Sequence, residues 1–515
     1  MPPSASINFG VELVHLPALL ASLFTLVAVA VGPRNFGSFV TMLFSWLAGS
    51  AGITPQPLRK ECRKPRAGVV ENPHGVFPGL RNSSGAHCFL NSTIQSLASL
   101  TALETFLEAL LADSDSAGVY LPLSEALWDT VQTLNAPSSS RAVHTNTAVI
   151  DAFTLALADS SKHMSPARRA LSLIRSGQQD AQEMFQCMSQ LLAHEEAVVR
   201  AAQTREGGLV VHEALKQPTG THFPMAGLAA SRLADLRCGY VEAIRGVPFD
   251  ALSLNLPMQA ACALEDLLAE YTALETIDDA ACRRCSLRAT LTRLRADVAH
   301  LMPADSRSPV SSSRRRRIRE AAHRERRLTA LLRDGGDLHA DPRLADIPLE
   351  RSGGGSTKQV LIARPPRILG LHINRSAFLP SGTAAKNPCR VVFPETLDLA
   401  PFATTGRLET APRAPLSSAR REALEQLAAD GTLPHQSLYA LASVVVHYGS
   451  HASGHYVTFR RAADGWLRAS DANVQPVALD DVLAQNPFML FYERQEAPRA
   501  QPPPAHILPA HALLS

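Results

Sequence analysis

The chain is poor in aromatic residues, in cysteine and in net charge, and each scarcity excludes something. Aromatics make up 5% of its 515 residues, against 46% hydrophobic residues overall. That composition permits a sizeable core and excludes a fibrous or wholly disordered chain. The net charge is only +3, so nothing in the composition asks for nucleic acid as a partner. Cysteine occurs eight times, at Cys62, Cys88, Cys187, Cys238, Cys262, Cys282, Cys285 and Cys389. Such sparse, irregular spacing excludes a disulfide framework and fits a reducing compartment, where thiols serve chemistry or metal binding. No internal repeat is apparent.

Also missing is any Lys or Arg before the apolar run Val14–Val31, so the basic n-region of a secretory signal peptide is lacking. The run holds only His15, Ser22 and Thr25 as polar side chains. As a helix its eighteen residues rise about 27 Å, enough to cross a thin bilayer with flanking help. Arg34, Arg59, Lys60, Arg63, Lys64 and Arg66 follow it. The positive-inside rule then places the bulk of the chain in the cytosol, behind an N-terminal transmembrane helix. A buried or membrane-lying helix is the alternative. A second apolar stretch, Phe39 to Ile53, is interrupted by Gly49, Ser50 and Gly52 and reads as interfacial.

Residues 1–66 thus form an anchor and basic linker, and residues 67–495 a mixed α and β domain. Helical periodicity comes early, around Ser92–Leu111, Leu121–Leu134, Ala167–Ile174 and Ala181–His194. Alternating, strand-like stretches come later, at Gln359–Ala363, Arg367–Ile373 and Tyr439–His447. Residues 302–355 break the pattern with Arg314–Arg317 in a Ser-rich surround, then Arg-rich helical sequence and Gly353-Gly354-Gly355. They are expected to be a disordered basic insertion looping out of the core, a solvated face, with binding of acidic lipid head groups or a targeting signal as the alternatives. The Pro-rich tail, 496–515, is expected to be disordered.

The chemistry is concentrated in two short segments, Gly85-Ala86-His87-Cys88-Phe89-Leu90-Asn91-Ser92 and Ser453-Gly454-His455-Tyr456-Val457. Cys88 follows a glycine turn and opens an apolar, helix-like run. A helix N-terminus favours the thiolate, the reactive form of a cysteine. His455 sits in a β-rich segment that would hold its ring rigidly, and an imidazole near a thiol is the usual means of activating it. A fold that joins the two is a cysteine hydrolase or transferase.

These segments resemble the ubiquitin-specific proteases, papain-like cysteine peptidases that remove ubiquitin from proteins. The cysteine box matches Gly79-Leu80-Arg81-Asn82 and Gly85 through Leu97. A second box matches Gln178-Gln179-Asp180-Ala181-Gln182-Glu183, with Gln182 in place of the usual His. The histidine box matches Val446-His447-Tyr448-Gly449 through Ser453-Gly454-His455-Tyr456, then Trp466, Asp471 and Leu490–Arg494. The boxes stand in the family's order over about residues 75–494. The resemblance implies an α+β, papain-like fold with a helical thumb and β-rich palm and fingers.

It also implies roles. Cys88 would attack the carbonyl of ubiquitin's C-terminal glycine, and His455 would act as its base. An oxyanion hole would use the Cys88 backbone N–H and an Asn side chain. One extra residue between Asn82 and Gly85 puts Ser83 at the family's offset for that Asn. Asn82, with the loop bulged, is the better donor. The family's third member, an Asp or Asn four residues after the box Trp, is Ser470 here, with Asp471 next to assist directly or through water.

Asp180 and Glu183 lie one helical turn apart. They would pair with arginines of ubiquitin's tail or, alternatively, cap and solubilise a helix. Gly454 and Tyr456 would line the same substrate path. A structural zinc of the family's fingers would fall to Cys282 and Cys285 with Cys238 and Asp235, or the quartet is a metal-free relic. Catalysis itself would need no cofactor. His372 and His447, in apolar strands, read as hydrogen-bonded core histidines. The expected function is a membrane-anchored deubiquitinase working through a thioester on membrane-associated proteins. Its partners would be ubiquitin and ubiquitinated proteins. Ser470 together with the anchor resembles the family's mitochondrial outer-membrane branch, with the endoplasmic reticulum as second address. The rivals are a catalytically silent ubiquitin-binding scaffold and a protease for a ubiquitin-like modifier.

Overall fold

The computed structural model describes residues 76–495, apart from 159–164, 178, 207–221, 303–309, 336–337, 339–340, 345, 379–380, 406–407, 418–436 and 452. The chain divides into two units, Met1–Asn72 and Pro73–Ser515, and the description concerns the second. The apolar runs 14–31 and 39–53, the basic stretch 59–66, Cys62, Gln178 and the tail 496–515 lie outside the described residues. Among the described residues, no single helix is long and apolar enough to cross a membrane.

The first half is helical. Strand β1 (Gly79–Leu80) leads into α1 (Cys88–Leu97), α2 (Thr101–Ser116) and α3 (Pro122–Asn135). Strand β2 (Val143–His144) pairs in parallel with β1, and α4 (Thr147–Ala158), α5 (Ser165–Arg175) and α6 (Ala181–Glu206) follow. Every residue of α1 is buried, as a helix with no charged residue allows. Two of its polar side chains bond within the helix: Ser92 Oγ and Thr93 Oγ1 both donate to Phe89 O, at 3.0 and 2.8 Å. Glu195 on α6, also buried, accepts from Leu123 N and Ser124 N at the start of α3, at 2.9 and 2.8 Å. The sequence suggests one helical run through Ser92–Leu111. The chain instead bends by 85° between α1 and α2, because Leu100 adopts an extended conformation.

The second half is mostly sheet. Its first strands are β3 (Gly227–Asp235), β4 (Arg245–Phe249), β5 (Ala251–Asn255) and β6 (Ala261–Ala263), followed by α7 (Leu264–Tyr271) and β7 (Glu275–Ala281). Helices α8 (Arg283–Leu301) and α9 (Ser312–Asp334) come next, then β8 (Gly353–Arg364), β9 (Ile368–Asn374), β10 (Ser376–Phe378), β11 (Ala384–Lys386), β12 (Arg390–Val392) and β13 (Thr396–Asp398). The chain closes with β14 (Leu438–Gly449), β15 (Gly454–Ala462), β16 (Gly465–Ser470), β17 (Asn473–Val477), α10 (Leu479–Leu483) and β18 (Met489–Arg494).

An eight-stranded sheet runs β17-β16-β15-β14-β18-β9-β5, with β13 also on β14. All its pairs are antiparallel except β5 with β9. Val444, Val445 and Val446 of β14 are all buried, because helices cover one face and the α7 layer the other. Helix α1 packs on β14 and β15, wedged between the helical half and the sheet. A separate antiparallel sheet, β4-β3-β8-β7, carries the α8–α9 hairpin between its β7 and β8 strands.

That hairpin corrects one expectation. Where a disordered insertion is expected over 302–355, Ser312–Asp334 forms a helix packed on α8. Leu287, Leu291, Leu328 and Leu331, with Leu338, Leu344 and Ile347, form a small core of their own. The arginines conceal this sparse leucine stripe, which is enough to pair the two helices.

Candidate active site

Cys88 is the first residue of α1 and is 2% exposed. Burial pushes its thiol above the ordinary cysteine value, opposed by the Tyr456 N–H and reinforced by the negative charge of Asp471. The strand that carries Tyr456, β15, therefore lies directly against the nucleophile, and His455 is the preceding residue. The Nε2 of His455 is 2.9 Å from Ser470 Oγ at the end of β16. This contact leaves Nδ1 as the ring nitrogen available to a thiol. Ser470 alone of the two third-member candidates touches the ring.

Asp471 does something else. It sits at the tip of the β16–β17 hairpin with a φ of 50°, in the left-handed region that Asp tolerates better than most residues. Its Oδ2 accepts from Asn82 Nδ2 at 3.0 Å, and its Oδ1 from Asn91 Nδ2 at 2.8 Å. Asn91 Oδ1 in turn accepts from Asn146 Nδ2 at 2.8 Å. The hairpin tip is docked by Leu80 N donating to Asp471 O at 2.9 Å. The fit there is close: a Cβ on Gly79 would lie 2.5 Å from the Ala472 backbone.

Asn82 and Ser83 have different surroundings. The extra residue is absorbed in a turn, with Gly85 at a φ of 73° and its N–H on Asn82 O at 3.4 Å. Asn82 Oδ1 accepts from His87 N at 3.0 Å. Its Nδ2 is thereby held at the N-terminus of α1 with one of its two hydrogens committed to Asp471. Ser83 is exposed and makes no hydrogen bond among the described residues.

Asp180 caps α6, its Oδ1 accepting from Gln182 N at 2.7 Å and Glu183 N at 3.4 Å. Burial raises its pKa, which the cap hydrogen bonds and His451 oppose and Glu183 reinforces. Tyr456 is also buried and meets this same helix start, where the Ala181 N–H reaches its hydroxyl. Cys88, Tyr456 and Asp180 therefore converge, with His455 one residue before Tyr456 on β15. Glu183 is less engaged, half-exposed and 3.7 Å from Arg169.

His447 is hydrogen-bonded as expected but only half-buried, beside Tyr456. Its ring lies 4.5 Å from that of Tyr456, and a Cβ on Gly454 would fall 2.4 Å from its Nε2. Only glycine fits at Gly454. Burial, with Lys386, His455 and His451 nearby, pushes His447 down to about 4. Lys386 Nζ donates to His447 O at 2.7 Å and Gly449 O at 3.1 Å, and is 3.3 Å from His447 Nδ1. His451 Nε2 is 3.1 Å from Ser376 Oγ. The β10–β11 hairpin thus clips the β14–β15 turn that leads into His455. His372 does behave as expected, packed on Phe488 and 3.0 Å from Ser253 Oγ.

The metal quartet also comes together. Ligand atoms of Asp235, Cys238, Cys282 and Cys285 all lie within 4.8 Å of one another. Cys238 and Cys282 sulfurs are 3.6 Å apart, and Asp235 Oδ2 is buried with no hydrogen-bond partner. That oxygen, 3.9 Å from the Arg237 guanidinium and grouped with three thiols, fits a cation such as zinc.

Sequence reasoning missed Asn91, Asn146 and Lys386. Asn91 was visible as a polar residue one turn after Cys88 on a charge-free helix, where burial would demand partners. The partners themselves carried no local signal.

The family profile described as ubiquitin carboxyl-terminal hydrolase matches residues 78–492. The chain belongs to that family. Ubiquitin carboxyl-terminal hydrolases of this kind are cysteine-type deubiquitinases, and the Cys88–His455 arrangement stands in the matched region. Ubiquitin carboxyl-terminal hydrolase 27 of Arabidopsis thaliana is 26% identical over 461 residues, covering 81% of this chain and 85% of its own length. Human ubiquitin carboxyl-terminal hydrolase 30 is 23% identical over 501 residues, covering 82% and 84%. Ubiquitin carboxyl-terminal hydrolase 1 of Saccharomyces cerevisiae is 30% identical over 190 residues, 35% of this chain and 22% of its own length. A solved SAGA Ubp8/Sgf11/Sus1/Sgf73 module bound to ubiquitin aldehyde aligns with a TM-score of 0.49 at 17% identity, covering 91% of this chain and 77% of that one.

Proposed function

We propose that this hydrolase cleaves the isopeptide or peptide bond after ubiquitin's C-terminal glycine through a thioester on Cys88. The observation that carries the reading is His455, with Nε2 on Ser470 and its strand against the buried Cys88. His455 Nδ1 takes the thiol proton as Sγ attacks the glycine carbonyl carbon, and the proton passes to the departing amine nitrogen. Water then attacks the thioester, losing a proton to His455. The C–S bond breaks with the Cys88 thiolate as leaving group, His455 returns the proton to the sulfur, and ubiquitin departs with a free C-terminal carboxyl group. The Cys88 N–H and the second hydrogen of Asn82 Nδ2 stabilise the oxyanion in both steps. Asp471 is a positioning residue in this scheme: it aims Asn82 and does not touch the imidazole. Asp180, Gly454 and Tyr456 line the approach of the ubiquitin tail, with Glu183 at its edge.

Asp235, Cys238, Cys282 and Cys285 would hold a zinc ion that ties β3 to the start of α8, a structural role away from the reacting atoms. The apolar run 14–31 would anchor the chain with this unit in the cytosol, on the mitochondrial outer membrane before the endoplasmic reticulum. Membrane-associated ubiquitinated proteins would be its substrates.

The test is release of a fluorophore amide-linked to ubiquitin's C-terminus by the unit Pro73–Ser515. Turnover that disappears in Cys88→Ala and His455→Ala supports the reading. A folded unit that binds ubiquitin without turnover would instead be the scaffold, a reading favoured by the neutral Ser470 and the burial-raised thiol.

A further inference from the structure

The α8–α9 hairpin is the most lopsided part of the charge distribution, and the proposed chemistry makes no use of it. Its two helices hold fourteen arginines, no lysine and four acidic residues, a net charge of +10. The whole chain carries +3, so the rest carries −7. Along α9, Arg315, Arg319, Arg326 and Arg333 are all exposed. At 100° per residue they fall within about 40° of one another, on a line about 27 Å long.

Not all of the hairpin's charge is spent internally. Arg293 pairs with Glu350 at 2.7 Å, Arg295 with Glu325 at 2.8 Å, Arg316 with Glu320 at 3.2 Å and Arg327 with Asp346 at 2.6 Å. Arg315, Arg317 and Arg319 have no acidic partner within ion-pair distance among the described residues. Beside the line, Arg295, Arg326 and Arg333 share the walls of an open groove with Glu325.

We propose that this face docks on an anionic membrane surface, its arginines binding lipid phosphate headgroups. Three observations select that occupant. Guanidinium groups bind phosphate oxygens bidentately and are more weakly hydrated than ammonium groups. The hairpin has no Phe, Tyr or Trp from Arg283 to Asp334, so it offers nothing for nucleobases to stack on. Its exposed line carries no large apolar anchor of the kind that dominates protein interfaces. A straight array of like charges complements a plane of opposite charge, where each basic side chain adds to the attraction until salt screens it. The proposal needs neither the deubiquitinase reading nor the N-terminal anchor.

The experiment is co-sedimentation of the unit Pro73–Ser515 with vesicles of phosphatidylcholine alone and of phosphatidylcholine mixed with phosphatidylserine. Binding is expected only to the mixed vesicles, weakening steeply as salt rises. The triple variant Arg315→Glu, Arg319→Glu, Arg326→Glu should bind at least about a hundredfold more weakly, with turnover of soluble ubiquitin substrate unchanged. The same three positions changed to Gln should lose a smaller part, which separates charge from misfolding. No binding to mixed vesicles at low salt would overturn the proposal, as would undiminished binding by the Glu variant. A unit that ignores vesicles but binds a single-stranded oligonucleotide would overturn it in favour of nucleic acid.

Discussion

Asp471 accepts a hydrogen bond from the side-chain amide of Asn82 at 3.0 Å, across 389 positions of chain. The carboxylate's other oxygen takes Asn91 at 2.8 Å. A carboxylate can accept from both amides because it has acceptors only. This fixes which way the Asn82 amide points, and so where its remaining hydrogen can be offered.

Replacing Asp471 with Asn removes one of those acceptors and inserts a donor opposite another amide. The Asn82 donor is then misdirected. Asp471→Asn should lower kcat by about a hundredfold to a thousandfold, the cost of losing one oxyanion-hole donor, with KM little changed. Steady-state kinetics on a fluorogenic ubiquitin amide decide it. A fall in KM alone, or no change, would contradict the positioning role.

Ser470 is the hydroxyl that holds His455 at 2.9 Å. Ser470→Ala should cost about tenfold to a hundredfold in kcat by freeing the ring. Ser470→Asp should restore activity, since a carboxylate also stabilises the imidazolium. Equal losses in both variants would show that Ser470 serves packing only.

Loss of the Lys386 clip should affect substrate binding more than the chemical step. Lys386→Met removes the donor to His447 O and Gly449 O, loosening the turn before Gly454. KM for ubiquitin substrates should rise about tenfold, the worth of one charge-assisted hydrogen bond, with kcat falling less. Lys386→Arg should recover part of the loss.

Acid should destabilise the fold through two histidines. Burial, their largest cause, pushes His372 and His447 down to about 4, below the unfolded value of about 6.5. The unfolded chain therefore binds more protons between those values. The stability these sites contribute is complete above pH 6.5 and is lost as pH falls toward 4. Thermal unfolding midpoints across that range should show the fall, and His372→Gln should flatten it.

Removing the metal quartet tests its occupancy. The purified unit should carry about one zinc per chain, and Cys282→Ser should lower the unfolding midpoint by at least about 2 °C, equivalent to about 2 kcal/mol in a unit of this size. A metal-free unit whose midpoint is untouched by the substitution would make the quartet a relic.

What was legible in the sequence was local or ordered. Cys88 behind its glycine turn, the Asp180 cap and the Gly454-His455-Tyr456 strand need only neighbouring residues to be read. So does the alternation that makes β14 and β15. Asp471 was visible as a candidate but not its partners, because Asn91 lies 380 residues away and meets it only when the β16–β17 tip docks on β1. Lys386 was invisible for the same reason. The α8–α9 hairpin was masked by its arginines, whose charge outweighs the few leucines that pack it.

The most direct test is reaction of the unit Pro73–Ser515 with ubiquitin bearing a C-terminal electrophile, followed by mass spectrometry of the adduct. The account predicts a single covalent ubiquitin on Cys88, absent in Cys88→Ala although Cys187, Cys262 and Cys389 remain. An adduct on any other thiol, or none from a folded unit, would contradict it.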